Sequence, residues 1–463
     1  MQKFDAIIIG AGQSGMPLAK KIGSLGKKVA LIEKRVIGGT CINDGCSPTK
    51  TMVASARVAH LVNRASDFGV NVNGFEIDQK KIKARKDHIV ELFRGGAEKA
   101  LVKAENVTII IGLARFTDCR QVEVIHEGEK IEELEAEHIF IDTGAEPIIP
   151  KMNGLQDVPF LNSTSIMELD ETPEHLIIMG GGYIGLEFAQ MFRRFGSQVT
   201  ILDKGPRLVP KEDDDVCEEV SKIFREEGIR TSFNSNVIKV AKKGAGILVT
   251  IEKDGQTDTI EGSHLLVAVG RKPSTDKLQL EKSGIETDEK GDILVDEYHE
   301  TSCKGVYALG DVVGETPFTH MAYHDAHTVF KCVYENEKIS KIDRLMPYCI
   351  FIDPQLARVG LNEQQAKEKG IPYEVGKYWM KHAGRPLEVD EKRGFFKVLI
   401  NPENRMILGA TILSIDGGEI IATIQMAMLG GITADVIRHL PIAHPTLAEN
   451  LNNVMGMIGK GEK

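Results

Sequence analysis

Cysteine pairs with metal-ligand spacing, long hydrophobic runs and net positive charge are all missing from this sequence of 463 residues. No Cys-x-x-Cys occurs, so nothing supports a zinc knuckle, and we predict no resident metal. The formal net charge of −10 argues against nucleic acid or an anionic membrane surface as a partner. The apolar run at residues 6–9 is too short for a signal peptide or a membrane span. We therefore expect a cytoplasmic protein.

The composition is that of a globular chain, with 42% hydrophobic and 27% charged residues, and its length suggests about three domains. Two of the seven cysteines, Cys41 and Cys46, lie close together in the sequence. In the cytoplasm such a pair more commonly cycles between dithiol and disulfide than staples a fold. We interpret the other five as core or surface residues without a redox role: Cys119, Cys217, Cys303, Cys332 and Cys349.

Residues 4–34 have the pattern of a strand, a glycine turn, a helix and a second strand. The turn carries Gly10, Gly12 and Gly15, and the second strand closes on Glu33. Glycines let the backbone approach a pyrophosphate at the helix N-terminus, and the acid can accept hydrogen bonds from ribose hydroxyls. The pattern predicts a dinucleotide-binding unit.

This unit recurs, with each matching position 170 residues further along the chain. An acid, Asp203, again closes the second strand, which favours an unphosphorylated ribose and so NADH over NADPH. Lys204 and Arg207 are near enough in sequence to leave NADPH open. Two units imply two dinucleotides, and together with a dithiol they suggest an electron relay. The second turn consists of Gly180, Gly181, Gly182, Tyr183, Ile184 and Gly185.

The cysteine pair stands just before a helical pattern. Residues five apart in a regular helix are about 8–9 Å apart at Cα, whereas a disulfide needs about 4.4–6.8 Å. If Cys41 and Cys46 bond, the turn between them must be distorted, which Gly45 allows. We expect the helix to begin with Ser47 as N-cap and Pro48 at the first helical position. Cys46 would then lie at the positive end of the helix, which favours its thiolate. A chance pair of buried cysteines is the alternative.

From residue 346 the chain changes to strands and helices without glycine turns. A helix over 418–429 carries a stripe of Met and Ile that is more typical of a core or a subunit interface than of a cofactor site. Near the end, His444 precedes a proline, and Glu449 follows five residues later. A histidine held by a restricted peptide bond near a carboxylate is a candidate acid–base group.

Together these motifs resemble the class I pyridine nucleotide–disulfide oxidoreductases, the flavin-dependent family that contains lipoamide dehydrogenase, glutathione reductase and mercuric reductase. The resemblance runs from Gly10 to Glu449 and is closest to the mercuric-reductase-like branch. Its motifs are Gly10-x-Gly12-x-x-Gly15, Gly38-Gly39-Thr40-Cys41-x-x-x-x-Cys46-x-Pro48-x-Lys50, Gly180-Gly181-Gly182-Tyr183-Ile184-Gly185-x-Glu187, Gly270-Arg271-x-Pro273, Gly310-Asp311 and His444-Pro445-Thr446-x-x-Glu449.

The resemblance implies an α/β fold with two Rossmann-like dinucleotide-binding domains and an α+β C-terminal dimerisation domain. The implied boundaries place the first part of the FAD-binding domain at 1–148 and the NAD(P)-binding domain at 149–271. The second, central part of the FAD-binding domain follows at 272–345, and the dimerisation domain at 346–463. The family also implies a homodimer.

The family implies FAD in the first unit and NAD(P)H in the second. Besides the glycines of the first turn, the residues implied to contact FAD are Glu33, Thr40, Lys50, Ala114, Thr143, Gly144 and Asp311. The residues implied to line the path of the nicotinamide cofactor are Gly180 to Gly185, Glu187, Asp203, Val237 and Gly270.

The resemblance also implies the roles in the relay. Hydride would pass from NADH to FAD, then to the Cys41–Cys46 disulfide, and on to a small-molecule disulfide or a metal ion. Cys46 would be the charge-transfer thiolate beside the flavin, and Cys41 the sulfur that exchanges with substrate. His444 of the other subunit, oriented by Glu449, would be the acid–base partner. An ion pair between Lys50 and Glu187 would lie beside the flavin.

Two residues in the cysteine motif, Asp44 and Ser47, stand where the family usually has apolar side chains. An acid between the cysteines should raise the pKa of their thiols by charge repulsion, so we hypothesise that Asp44 tunes the dithiol's potential or its affinity for cations. The C-terminus lacks the paired cysteines of authentic mercuric reductases, and no metal-binding domain precedes Met1. We therefore do not expect mercury detoxification.

Other functions remain open at this point. A dihydrolipoyl dehydrogenase would run the same relay towards NAD with the same residues. A non-catalytic redox sensor or a subunit of a larger complex would have no turnover. A flavin oxidase would work without disulfide chemistry.

Overall fold

The structure, a computed structural model, describes residues 1–315, 317–342 and 344–460. The strands of these ranges are β1 Gln2–Ile9, β2 Val29–Glu33, β3 Val107–Ile111, β4 Leu113–Asp118, β5 Gln121–His126, β6 Glu129–Ile141, β7 Ala145–Pro147, β8 His175–Met179, β9 Gln198–Leu202, β10 Arg230–Ser232, β11 Asn236–Lys243, β12 Gly246–Lys253, β13 Gln256–Gly262, β14 His264–Val267, β15 Arg271–Pro273, β16 Val306–Ala308, β17 Tyr348–Ile350, β18 Gln355–Gly360, β19 Glu374–Trp379, β20 Phe395–Ile400 and β21 Ile407–Ser414.

The helices of the same ranges are α1 Gly15–Ser24, α2 Gly39–Asn43, α3 Cys46–Asn63, α4 Gln79–Val102, α5 Tyr183–Arg194, α6 Asp214–Glu226, α7 Thr319–Tyr334, α8 Glu363–Glu368, α9 Gly384–Glu388, α10 Gly417–Leu429, α11 Ala434–His439 and α12 Asn450–Gly456. None of them, within the described part of the chain, is both long and apolar enough to cross a membrane.

The N-terminal sheet gathers strands from two separate segments of the chain. Its strands pair in the order β3, β2, β1, β6, β5, β4, and β16 pairs with β6. β2, β1 and β16 run parallel to their partners, whereas β4 and β5 form an antiparallel hairpin against β6. Every residue of β2 is buried, as expected for a parallel strand covered on both faces. The first glycine turn therefore lies at the carboxyl end of a buried strand, where nucleotides bind in open α/β sheets.

A second parallel sheet repeats this architecture. Its strands pair in the order β10, β9, β8, β14, and a three-stranded antiparallel sheet of β11, β12 and β13 follows β10 in the chain. The second unit is inserted between β6 and β16 of the N-terminal sheet. The short antiparallel pair β7 and β15 marks where the chain leaves and returns. The predicted domain boundaries near residues 148 and 271 lie beside this pair, and they stay predictions.

The C-terminal segment forms a five-stranded antiparallel sheet in the order β17, β18, β21, β20, β19. Helix α10 buries Ile420, Ile421 and Ile424 against it. In the single chain Met426 and Leu429 of the same helix remain 67% and 70% exposed. The predicted α/β fold with two Rossmann-like units and an α+β C-terminal domain is confirmed.

Ion pairs at buried side chains fasten the second unit to the C-terminal sheet. Arg194 of α5 lies 2.8 Å from Glu227 and 2.7 Å from Asp353, which follows β17. Lys397 of β20 lies 2.9 Å from Asp213, at the start of α6. These contacts hold α5 against the C-terminal segment, and α5 carries four of the predicted site residues: Tyr183, Ile184, Gly185 and Glu187.

Two predictions about cysteines are wrong. Helix α3 begins at Cys46 with Gly45 as N-cap, not Ser47, because the first helical hydrogen bond runs from the Thr49 N–H to the Gly45 carbonyl at 3.0 Å. Cys119 and Cys303, expected to be unrelated, are joined by a disulfide with a Cα–Cα distance of 6.1 Å. They are 184 residues apart in sequence, so only the folded sheet brings them together.

Candidate active site

A cavity of about 740 Å³ lies between the first glycine turn, the cysteine stretch and helix α5. The predicted site residues that line it are Gly10, Gly12, Glu33, Thr40, Cys41, Cys46, Lys50, Ala114, Thr143, Gly144, Tyr183, Ile184, Glu187 and Asp311. The predicted residues that do not line it are Gly15, Gly180, Gly181, Gly182, Gly185, Asp203, Val237, Gly270, His444 and Glu449. The structure thus gathers most of the predicted FAD contacts and both cysteines around one space.

The first glycine turn is held by the acid at the end of β2. The Glu33 carboxylate accepts a hydrogen bond from the Ala11 backbone N–H at 2.9 Å. Gly10 has φ +111°, and a Cβ there would lie 2.1 Å from the Asp142 carbonyl oxygen. No other residue type fits at this position, which keeps the backbone open for close approach by a phosphate group.

Polar groups along the cavity fit the FAD that the sequence predicts. The Thr143 hydroxyl is buried and has no hydrogen-bond partner among the described residues. The Asp311 carboxyl also faces the cavity, and burial raises its pKa. Hydroxyl groups of a ribityl or ribose chain are suitable partners for both side chains. Thr143 and Asp311 would therefore hold the hydroxyl-bearing part of the cofactor.

Asp142 is a site residue that the sequence prediction missed. Its carboxyl accepts a hydrogen bond from the Gly15 backbone N–H at 2.7 Å, at the start of α1. Burial raises its pKa to about 8, although this hydrogen bond opposes the shift. A carboxylate at the N-terminus that should receive a pyrophosphate would repel it, so the neutral form suits the site. The sequence signal that could have identified Asp142 is an acidic residue directly after an apolar strand.

The second glycine turn repeats the contact seen in the first. The Asp203 carboxylate accepts hydrogen bonds from the backbone N–H groups of Gly181 and Gly205. Val237, predicted to lie on the cofactor path, is buried in the core of the second unit. Tyr183 begins α5 and lines the cavity, so α5 connects the second turn to the cysteines.

The two thiols of the cysteine motif are unequal. Cys41 lies in α2 and Cys46 is the first residue of α3, and both are free thiols. A hydrogen bond from the Cys41 thiol lowers the pKa of Cys46 to about 6, assisted by Thr319 and Lys50 against the effect of burial. The same hydrogen bond, with burial, raises the pKa of Cys41. At neutral pH the pair therefore holds one proton, on Cys41.

Thr319 is the second residue that sequence reasoning missed. Its hydroxyl Oγ1 lies 3.3 Å from the Cys46 Sγ. Thr319 is the first residue of α7, so the N-terminus of this helix lies near the Cys46 sulfur. A helix start was visible in the sequence here, but nothing local linked it to a cysteine 273 residues away.

An ion pair borders the cavity beside the cysteines. Lys50 Nζ lies 2.7 Å from a Glu187 carboxylate oxygen, and the other Glu187 oxygen accepts from the Phe351 N–H at 2.8 Å. The Lys50 ammonium also lies 4.8 Å from the centre of the Phe351 ring. Three segments of the chain therefore meet at this pair: helix α3, helix α5 and the end of β17.

Asp44 lies in the cysteine motif but is paired with an arginine. Its carboxylate forms an ion pair with Arg35, beyond the end of β2. The groups that shift the pKa of Cys46 are Cys41, Thr319, Lys50 and Glu187, together with burial. The rise in the Cys41 pKa likewise comes from Cys46 and from burial, not from Asp44. A carboxylate paired with a guanidinium exerts little repulsion on the thiols, and the hypothesis that Asp44 tunes the dithiol's potential or its affinity for cations stays a prediction.

His444 is not brought to the cysteines within one chain. Its Nδ1 lies 2.7 Å from Glu449 Oε2, and its side chain is 75% exposed. A peptide bond in the cis form joins it to Pro445. The Glu449 carboxylate orients the ring through Nδ1, and Nε2 has no hydrogen-bond partner among residues 1–315, 317–342 and 344–460.

A glycine turn beside a pair of thiols, and a second glycine turn linked to the same cavity by α5, define a class of protein, the dinucleotide-dependent dithiol–disulfide oxidoreductases. The family described as "Pyridine nucleotide-disulphide oxidoreductase" matches residues 4–326, and its "dimerisation domain" matches residues 346–455. The chain therefore belongs to the pyridine nucleotide-disulphide oxidoreductase family. It is an FAD-dependent oxidoreductase that uses NAD(P)H, as the sequence predicted.

The relatives carry different names at similar identity. The "Probable pyridine nucleotide-disulfide oxidoreductase RclA" of Escherichia coli is 34% identical over 462 residues, 99% of this chain and 100% of the relative. A mercuric reductase of Lysinibacillus sphaericus is 33% identical, covering 97% of this chain and 81% of the relative. A dihydrolipoyl dehydrogenase of Haloferax volcanii is 34% identical, covering 96% and 94%.

A solved structure shares the fold across the chain. It is described as "Cu(II) complex of HOCl-induced flavoprotein disulfide reductase RclA from Escherichia coli". Its TM-score is 0.89 at 33% identity, and the match covers 98% of this chain and 99% of that chain. The identity is high enough to support shared chemistry but does not single out one electron acceptor.

Proposed function

We propose that this protein uses NADH to reduce a small-molecule disulfide or a thiol-bound metal ion through the Cys41–Cys46 pair. The observation that carries the proposal is the unequal thiol pair at the cavity wall, with Cys46 at a pKa of about 6 and Cys41 protonated. FAD, which Glu33, Thr143 and Asp311 would hold, would supply the chemistry that links a hydride donor to a disulfide. Cys41 and Cys46 carry out the bond exchange at sulfur, and His444 transfers the proton.

With a disulfide substrate, the Cys41 sulfur attacks one substrate sulfur and the substrate S–S bond breaks. The leaving thiolate takes a proton, and a mixed disulfide remains on Cys41. Cys46 then attacks the Cys41 sulfur, which expels the second substrate thiol and forms the Cys41–Cys46 disulfide. The substrate disulfide is thereby reduced by two electrons to two thiols, and the two enzyme cysteines are oxidised to a disulfide.

These steps need a group near Cys41 that first accepts a proton and then donates it, because the Cys41 thiol must lose its proton to attack and the leaving thiolate must gain one. We assign the role to His444 of the other subunit, oriented by Glu449 at 2.7 Å. Its exposure in the single chain and the exposed apolar side chains of α10 support a homodimer that covers both. The dimerisation-domain match at residues 346–455 supports the same assembly.

A metal ion is a plausible alternative acceptor on chemical grounds, since two thiolates are good ligands for soft or borderline cations. The relatives include mercuric reductases and a protein solved with Cu(II). In this function the metal ion is the substrate, and Cys41 and Cys46 bind it and deliver the electrons.

Turnover with a panel of acceptors tests the proposal. NADH oxidation by the holoenzyme would be followed anaerobically with oxidised glutathione, lipoamide, Cu(II) and Hg(II). We expect at least one acceptor to support turnover, and Cys41→Ser to lower that rate by about 100-fold or more. Cys332→Ser, at a free cysteine outside the cavity, is the matched control and should keep the wild-type rate. Full activity in Cys41→Ser would instead indicate that electrons reach the acceptor without disulfide chemistry, and NADH oxidation that needs only air would indicate a flavin oxidase.

The preference for NADH rests on the second turn. Asp203 is fixed by two backbone N–H groups at the position where an acid accepts from ribose hydroxyls. Arg207, which could have bound a 2′-phosphate, forms an ion pair with Asp214. Comparison of kcat/KM for NADH and NADPH decides this point, and a ratio favouring NADPH contradicts it.

A dihydrolipoyl dehydrogenase is the second candidate, favoured by relatives such as that of Haloferax volcanii at 34% identity. It uses the same residues in the opposite direction. Rapid reduction of NAD by dihydrolipoamide, faster than any NADH-driven reduction in the panel, would favour it. The cytoplasmic location stays a prediction.

A further inference from the structure

Two cysteines outside the active site meet at one end of the N-terminal sheet. Cys119 lies in the turn between β4 and β5, and Cys303 lies just before β16. Their Cα atoms are 6.1 Å apart, within the range of about 4.4–6.8 Å that a disulfide requires, and the structure joins them. The whole second nucleotide-binding unit lies between them in the chain.

Both cysteines pack against one hydrophobic core. Cys303 is 4% exposed and belongs to the hydrophobic core of the N-terminal sheet, and Cys119 packs against the same core. Next to them, the Phe116 N–H donates to the Leu278 carbonyl at 2.8 Å, which ties β4 to the segment that precedes Cys303. Cys119 is the more accessible partner, because it is only half-buried between exposed neighbours.

This pair is remote from the electron relay. Ala114, near the start of β4, lines the cavity, whereas Cys119 follows the other end of that strand, about 17 Å away at 3.3–3.4 Å per residue. Likewise, Asp311 follows the carboxyl end of β16 and Cys303 precedes its amino end. Neither cysteine lines the cavity. A bond between them therefore acts on the scaffold that carries the FAD contacts.

We propose that Cys119 and Cys303 form a second, oxidant-responsive disulfide that fastens the two chain segments of the FAD-binding sheet to each other. The sheet is built from residues on both sides of the inserted unit, so motion or partial unfolding of that unit could separate β4 and β5 from β16. A covalent link across the insertion prevents this separation and removes conformational freedom from the unfolded chain.

The oxidant class is a hydroperoxide. Cys119 attacks one peroxide oxygen, the O–O bond breaks, an alcohol leaves, and Cys119 becomes a sulfenic acid. The Cys303 thiol then attacks this sulfur, the S–O bond breaks, and water leaves as the S–S bond forms. Two thiols lose two electrons and two hydrogens, and the hydroperoxide is reduced to alcohol and water. A small-molecule dithiol reverses the bond by exchange.

The experiment compares the holoenzyme in two redox states. Reduced protein, freed of dithiothreitol, would be treated with tert-butyl hydroperoxide and digested without reduction for mass spectrometry. We expect a linked pair of peptides containing Cys119 and Cys303 that dithiothreitol separates. The oxidised protein should melt about 5 °C or more above the reduced protein and lose FAD more slowly.

Because the same treatment also oxidises Cys41 and Cys46, variants isolate the effect. In Cys119→Ser and in the double variant Cys119→Ser/Cys303→Ser, the oxidised and reduced forms should melt together. Cys332→Ser, which removes another free thiol, should keep the wild-type difference. In the double variant Cys41→Ser/Cys46→Ser, which cannot form the active-site disulfide, the oxidised form should still melt above the reduced form, so the comparison stands even if a Cys119 variant folds poorly.

Three results would each overturn the proposal. The first is hydroperoxide treatment that gives no linked peptide. The second is a link that dithiothreitol cannot break in the folded protein, which would make the bond a permanent staple. The third is a reversible link that leaves both the melting temperature and FAD retention unchanged.

Discussion

The Cys46 Sγ lies 3.3 Å from the Thr319 Oγ1, a contact between residues 273 positions apart in the sequence. The hydroxyl stabilises the thiolate more than the thiol, because a hydrogen bond to a charged group is stronger than one to a neutral group. Thr319 is therefore part of what keeps the Cys46 pKa at about 6. The first prediction follows from this contact.

Thr319→Val removes the hydroxyl at nearly constant volume and should raise the Cys46 pKa by about one unit, since one unit corresponds to about 1.4 kcal/mol. The pH dependence of iodoacetamide alkylation in the reduced enzyme measures it. Thr319→Ser keeps the hydroxyl and should stay close to wild type. An unchanged profile in Thr319→Val would show that the hydroxyl does not bind the thiolate.

Lys50 and Glu187 act on Cys46 with opposite sign, because the ammonium attracts the thiolate and the carboxylate repels it. Lys50→Met should therefore raise the Cys46 pKa, and Glu187→Gln should lower it, each by up to about one unit. The same alkylation titration reads both. Glu98→Gln on exposed α4 is the matched control and should have no effect. Shifts of the same sign would mean that both substitutions simply loosen the site.

The buried Asp142 carboxyl makes stability depend on pH. Its folded pKa is about 8 against an ordinary value of 3.8. Between these values the folded protein keeps a proton that the unfolded chain has lost, so stability falls as pH rises through this window, by up to about 1.4 kcal/mol per unit. Asp142→Asn keeps the acceptor for Gly15 without the charge.

The melting temperature of Asp142→Asn should consequently fall less than that of wild type between about pH 5 and pH 8, and should equal or exceed it at pH 8. Asp258→Asn, at an exposed residue of β13, should follow the wild-type curve. If the melting temperature of Asp142→Asn falls as steeply as that of wild type, the Asp142 carboxyl is ionised in the folded protein throughout this pH range.

Hybrid dimers test whether His444 works across the subunit interface. Cys46→Ser and His444→Ala homodimers should each be nearly inactive. Mixed at equal amounts and allowed to exchange, they form about half heterodimers, in which one of two sites has both an intact thiol and an intact histidine. About a quarter of the wild-type activity should therefore return. No recovery, despite heterodimers seen by native mass spectrometry, would place His444 with the cysteine of its own chain.

Local patterns in the sequence were enough to predict the family, the cofactors and the fold class. The glycine turns ending at Gly15 and Gly185 and the Cys41–Cys46 motif are each set by backbone conformation over a few residues. Such constraints are readable without a structure, because only glycine fits the turn and only a nearby pair of thiols forms the relay. The roles of individual residues and the domain boundaries remain predictions for the experiments above.

Contacts between residues far apart in the chain could not be predicted from the sequence. The sequence suggested that the Asp44 charge acts on the thiols, whereas in the structure Asp44 forms an ion pair with Arg35. Asp142 gave no sign in the sequence that its carboxyl is buried and has a raised pKa. The interpretation of Cys119 and Cys303 as unrelated was wrong because their pairing depends on β5, which follows Cys119, and β16, which follows Cys303, both pairing with β6.

By itself, then, the sequence determined that this chain binds two dinucleotides and carries an exchangeable dithiol, because those properties reside in short segments with strict steric demands. Only the tertiary structure decided which charges and hydroxyls surround the thiolate, and which distant cysteines meet. Burial and distance set both pKa values and bonding, and both arise from contacts between residues far apart in the chain.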